Sequence, residues 1–181
     1  IDTSDEVATR SVANYDFELS IVNESSNEQI VKQTLPAISV PQTYTYPGEL
    51  TDGRYKVTVF AVDDSTTPGE SKSETFKIDT TGPAAPELGA VPSALTNVKE
   101  FKFTWKAVQD SLSSIAKYEV GMTNADQAEE ITTVASDSAL EYKWTYVKDG
   151  EVIFKVRGVD DATEDGNAGE WTIYKFTVDT S

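Results

Sequence analysis

The chain is 181 residues long and carries 31 acidic and 15 basic side chains, a net charge of −16 at neutral pH. It has no histidine and no cysteine, which excludes disulfides, thiol nucleophiles, Ser-His-Asp and Cys-His catalysis, and the usual zinc and iron ligands. Phosphate binding needs a basic face, so nucleic acid is not an expected partner, and the surplus of acid suits cations.

No window reaches the ~18 apolar residues of a membrane span, and no membrane insertion is expected. A short phrase recurs along the chain: Ile1-Asp2-Thr3-Ser4, Ile78-Asp79-Thr80-Thr81 and Val178-Asp179-Thr180-Ser181. Each copy reads as the end of a last strand running into a linker. The recurrence predicts two domains, residues 1–81 and 82–181, with the first four residues ending a preceding repeat or linker. Each domain carries −8.

In the first domain Tyr15, Phe17, Leu19 and Ile21 alternate with Asp16, Glu18 and Ser20, the period of a half-buried strand. Asn23 to Asn27 is a turn, and Gln29 to Leu35 a further strand. Pro36 and Pro41 break the chain before a short strand over Thr43 to Tyr46. The clearest strand runs from Tyr55 to Val62 and leads into an acidic loop from Asp63 to Gly69. Glu74 to Ile78 closes the domain.

The second domain follows the same plan. Strands are expected over Leu88–Val91, Phe101–Trp105, Ala116–Met122, Ile131–Val134, Leu140–Trp144, Val152–Val159 and Trp171–Val178. A second acidic loop, Asp160 to Gly169, precedes the last of these. Short strands with turn signals about every ten residues, and no sustained helical period, read as two β-sandwiches.

Three features together resemble fibronectin type III and related bacterial Ig-like repeats. Trp105 stands in the second strand of the second domain, with Tyr118-Glu119-Val120 in the third. Gly53 to Asp64 and Gly150 to Asp161 share one penultimate-strand pattern. Both domains end in Phe-Lys/Thr-Ile/Val-Asp-Thr, and Asp79 to Pro86 is similar to the joints of tandem bacterial adhesin repeats. The resemblance implies an all-β chain of two tandem Ig-like, fibronectin type III-like β-sandwiches. Leu50-Thr-Asp-Gly-Arg-Tyr55 is similar to the tyrosine corner of such domains, in which a phenol bonds back to upstream backbone. The second domain departs from it, with Val152 at the tyrosine position. The first departs more, lacking a second-strand Trp, and its strand number stays open.

The resemblance also implies that stacked domains bring Asp79 towards Asp160, Asp161 and Asp110, and Asp2 towards Asp63 and Asp64. Clustered carboxylates are the hard oxygen ligands calcium needs, so calcium at each joint, stiffening the array, is one expectation. The other is that these residues cap turns and keep edges soluble. No other cofactor is expected. Tyr44 and Tyr46, and Tyr142, Trp144 and Tyr146, alternate and so share a face. Such a face stacks on sugars if exposed and builds core if covered, and core is the commoner fate.

The function expected is a non-catalytic extracellular spacer of a larger bacterial or archaeal surface protein, such as an adhesin stalk. Its partners would be neighbouring domains of the same chain and a protein or glycan ligand. The alternative is an accessory or carbohydrate-binding module of a secreted polysaccharide-degrading enzyme.

Overall fold

Phe17, Leu19 and Ile21 line one face of the first strand, β1 (Asp16–Asn23), which turns back into β2 (Glu28–Pro36). The Asn23 side-chain oxygen accepts the Ser25 and Ser26 N–H groups at 2.9 and 3.2 Å, and Asn27 takes a left-handed φ of 55°. Local side-chain bonding of this kind is why Asn and Ser punctuate turns. The computed structural model describes residues 16–36, 43–62, 68–124, 128–145 and 148–181. It divides into two compact units, Ile1–Ile78 and Asp79–Ser181, so Asp79, Thr80 and Thr81 go with the second unit rather than the first. Among the described residues every regular element is a strand.

In the first unit β1 and β2 join β3 (Gly53–Val62) and β4 (Lys72–Ile78) in one antiparallel sheet of order β2-β1-β3-β4. Its buried face carries Leu19, Ile21, Val31 and Tyr55. The strand expected over residues 43–46 is irregular chain instead. Pro47 lacks the N–H that a ladder needs, and Tyr44 and Tyr46 pack onto the apolar face without pairing.

The tyrosine corner forms. Tyr55 is 1% exposed, stacks on Phe76 with ring centroids 5.5 Å apart, and donates its hydroxyl to the Thr51 carbonyl at 2.8 Å. Tyr55→Phe should therefore cost the first unit about 1 kcal/mol, the usual net value of one such bond. Denaturation followed by circular dichroism should show the loss. Tryptophan fluorescence should not move, because Trp105, Trp144 and Trp171 all lie in the second unit. An unchanged dichroism transition would rule the corner out as a stabilising contact.

Among the described residues the second unit has two sheets. The larger has the order β5-β11-β10-β7-β8, from β5 (Leu95–Thr96), β7 (Ile115–Asn124), β8 (Glu130–Ala135), β10 (Gly150–Asp160) and β11 (Thr172–Val178). The smaller pairs β6 (Glu100–Thr104) with β9 (Glu141–Thr145). The expected strand at Leu88–Val91 is an edge segment bounded by Pro86 and Pro92. It makes one bridge, Leu88 to Trp105, flanked by hydrogen bonds from Gly89 N–H to the Thr104 carbonyl and from Lys106 N–H to the Glu87 carbonyl. The regular strand nearby is β5, which runs parallel to β11 and was not legible because it is two residues long.

Alternation sends Phe101 and Phe103 from one sheet, and Val152, Phe154, Val156, Phe176 and Val178 from the other, into one core. Phe103 and Phe154 stack face to face, centroids 4.1 Å apart and 4° from parallel. Tyr142 and Trp144 are half-buried and packed against this core; Tyr146 lies outside the described residues. Where the first unit has its tyrosine, Val152 is wholly buried, and a carboxylate secures the corner instead. Asp149 Oδ1 accepts the Thr180 N–H at 3.0 Å and its hydroxyl at 2.7 Å. The closing hairpin repeats in register, Gly53 facing Ile78 in one unit and Gly150 facing Val178 in the other.

Candidate metal centre

The strand β10 delivers its last residue, Asp160, to one end of the second unit, where the carboxylate is 1% exposed. The loop that follows folds back upon it. Gly166, at φ 75°, makes the return, and a side chain there would place its Cβ 2.2 Å from the Asp160 carbonyl oxygen. Asn167 then donates its N–H to Asp160 Oδ1 at 2.7 Å and its amide to Oδ2 at 3.0 Å, while Ala162 N–H reaches Oδ1 at 3.0 Å. These donors replace the water that burial takes from the carboxylate oxygens.

Asp110 comes from the loop between β6 and β7. Val108 N–H donates to the buried Tyr118 hydroxyl at 3.0 Å, anchoring the loop on the core. Asp110 Oδ1 accepts Leu112 N–H at 2.8 Å and Ser113 N–H at 3.2 Å. The Leu112 N–H foremost, aided by Ser113 and Ser111 and opposed by desolvation, holds the Asp110 carboxyl below its ordinary value of 3.8. Because the folded value is the depressed one, its stabilising share is present above that ordinary value. It is lost as the pH falls through the lower folded one.

Asp79 is the first residue of the second unit, and the segment it opens is fastened along its length. Asn167 donates its amide to the Asp79 carbonyl at 3.1 Å, and the Thr172 hydroxyl donates to the Pro86 carbonyl. Between them Pro83 approaches Gly169 so closely that a Cβ there would sit 2.1 Å from its carbonyl oxygen. The Asp79 side chain bonds locally through one oxygen only, Oδ1 accepting Thr81 N–H at 3.4 Å. Its other oxygen, Oδ2, is buried without a hydrogen-bond partner.

These three residues converge: one carboxylate oxygen from each of Asp79, Asp110 and Asp160 lies within 4.8 Å of the others. Calcium binds oxygen at 2.3–2.6 Å, so oxygens on one ion stand at most roughly 5 Å apart, and this trio fits. The fourth expected residue is placed elsewhere. Asp161 is exposed and accepts Ser114 N–H at 2.8 Å, while its own N–H reaches the Ser114 carbonyl at 2.9 Å, joining the two loops. Asp2, Asp63 and Asp64 lie outside the described residues. Asn167, one of the oxygen-bearing residues of the acidic loop, acts here as a hydrogen-bond donor; its place after Gly166 was the only signal of that.

Neither a protein-family model nor a curated protein matches the chain. Among solved structures it is similar to the FN1–FN3 domains of chicken CNTN1, with a TM-score of 0.44 and 14% identity over 92% of this chain and 54% of that one. A two-domain fibronectin type III segment of chicken tenascin gives 0.44 and 15% over 93% and 88%. The fibronectin(III)-like modules of Clostridium thermocellum CbhA give 0.43 and 16% over 89% and 77%.

Proposed function

We propose that the chain is a pair of non-catalytic, extracellular spacer modules in a larger surface protein, and that the second module binds calcium through Asp79, Asp110 and Asp160. The observation that carries this reading is the convergence of three carboxylates, one of which, Asp79, has a buried oxygen, Oδ2, with no hydrogen-bond partner. A buried, unpaired carboxylate oxygen beside two further negative charges costs free energy that a divalent cation removes. The ion ties the first residue of the second unit to two loops of that same unit. Neighbouring modules of the same chain are the natural partners.

The aromatic residues favour this reading over carbohydrate binding. Tyr44, Tyr46, Tyr142 and Trp144 are packed against cores, and Trp171 lies beneath the Lys155 and Arg157 head groups at 4.1 and 4.4 Å. Calcium at a hundred times its dissociation constant stabilises by about 2.7 kcal/mol. The tryptophan-fluorescence melt of the whole chain should therefore rise in calcium by roughly 10 °C or more over the melt in chelator. Identical melts, with no heat on calorimetric titration, would sink the proposal.

A further inference from the structure

We propose that Asn167 is the positioning residue of this centre, holding two of its three acidic ligands in place before any cation arrives; the inference rests on the calcium reading above. One side-chain amide reaches both ligands: Nδ2 donates to Asp160 Oδ2 at 3.0 Å and to the main-chain carbonyl of Asp79 at 3.1 Å. Both partners are pure acceptors, so the amide can only present its NH2 to them. The main chain of Asn167 adds two bonds, its N–H to Asp160 Oδ1 at 2.7 Å and its carbonyl from Asp160 N–H at 3.1 Å.

This arrangement solves a problem inherent in the site. Three carboxylates within 4.8 Å repel one another, and the least tethered should swing away when the cation is absent. Asp160 is held by donors on both oxygens. The Asp79 side chain accepts Thr81 N–H, and the Asn167 amide fixes the Asp79 main chain directly to the loop that carries Asp160. Because Asn167 grips Asp79 by its main-chain carbonyl, it leaves the carboxylate for the ion. Outer groups that orient ligands typically change metal affinity about 10- to 100-fold when removed.

The test uses the whole chain and two measurements, calcium titration calorimetry and the melt in chelator. Asn167→Ala keeps both main-chain bonds and removes only the amide. It should weaken calcium binding at least about tenfold, with a proportionally smaller calcium-induced rise in melting. A role confined to the fold would lower the chelated melt yet leave calcium affinity unchanged, and that result overturns the proposal. Should the alanine variant lose its folded baseline, Asn167→Ser, which is too short to span both acceptors, is titrated in its place with the same expectation. Wild-type protein that binds no calcium overturns the calcium reading itself. Wild-type and variant binding equally well overturns only the role of Asn167.

Discussion

Replacing Phe154 by alanine is expected to destabilise the second unit by about 3–5 kcal/mol, the cost of emptying a buried aromatic site. Phe154 is wholly buried, stacked on Phe103 and within 6.5 Å of the Trp105 ring centroid, and it comes from the central strand of its sheet. Neighbouring side chains cannot easily collapse into the space, because Phe103, Val152 and Val156 are themselves at 0% exposure and held by their strands. For a unit of this size the loss should lower the melting midpoint by more than about 10 °C. Tryptophan fluorescence isolates the effect, since all three tryptophans report on this unit. A fall of only a degree or two would mean that the aromatic stack is not the centre of the core.

Asp79→Asn is expected to reverse sign with calcium. In chelator the variant should equal or exceed the wild type in stability. It removes one of three mutually repelling charges, and such a pair at about 4 Å costs between roughly 1 kcal/mol in water and 4 kcal/mol near a protein surface. Its new amide can also donate towards Asp110 or Asp160. In saturating calcium the order should invert, because the wild type gains the ion's binding free energy and the variant loses most of it. Two melts of each protein decide the matter. A variant that is weaker than the wild type by the same margin in both conditions would make Asp79 a structural residue and nothing more.

The residues explain how much of this could be read in advance. The alternation of Phe101, Phe103 and Trp105, and of Val152, Phe154 and Val156, declares two pleated surfaces with one apolar face each, and the structure builds its core from them. The corner at Tyr55 was legible because the chemistry is local: a phenol four residues from its acceptor. Pairing between distant segments was less so. Glu87–Ala90 and β5 are short edges whose partners are set by the rest of the sheet, and a two-residue strand has no period to detect.

The candidate site was legible in its ligands and not in its scaffolding. Asp79, Asp110 and Asp160 stand out by residue type, and the fold resemblance brings them together. Residue type does not distinguish Asp160 from Asp161, yet one ends buried among the candidate carboxylates and the other as an exposed link to Ser114. The difference follows the alternation of β10: Val152, Phe154, Val156 and Gly158 are buried, Asp160 continues their face, and Asp161 falls on the other side just beyond the strand. Asn167 was harder still, since an amide that donates to two acceptors looks, in sequence, like any polar loop residue.

The fastening of residues 79–86 onto the second unit bears on how such a module can be transplanted. The visible repeat in the text ends after Thr81, and an engineer grafting residues 82–181 into another protein would leave Asp79 behind. The graft would keep Asp110 and Asp160 but would present two thirds of the carboxylate trio. The compact unit begins three residues earlier, at Asp79. The unit that is easiest to copy by eye is thus out of phase with the compact unit, and hybrid proteins spliced immediately after Ile78 keep the trio whole.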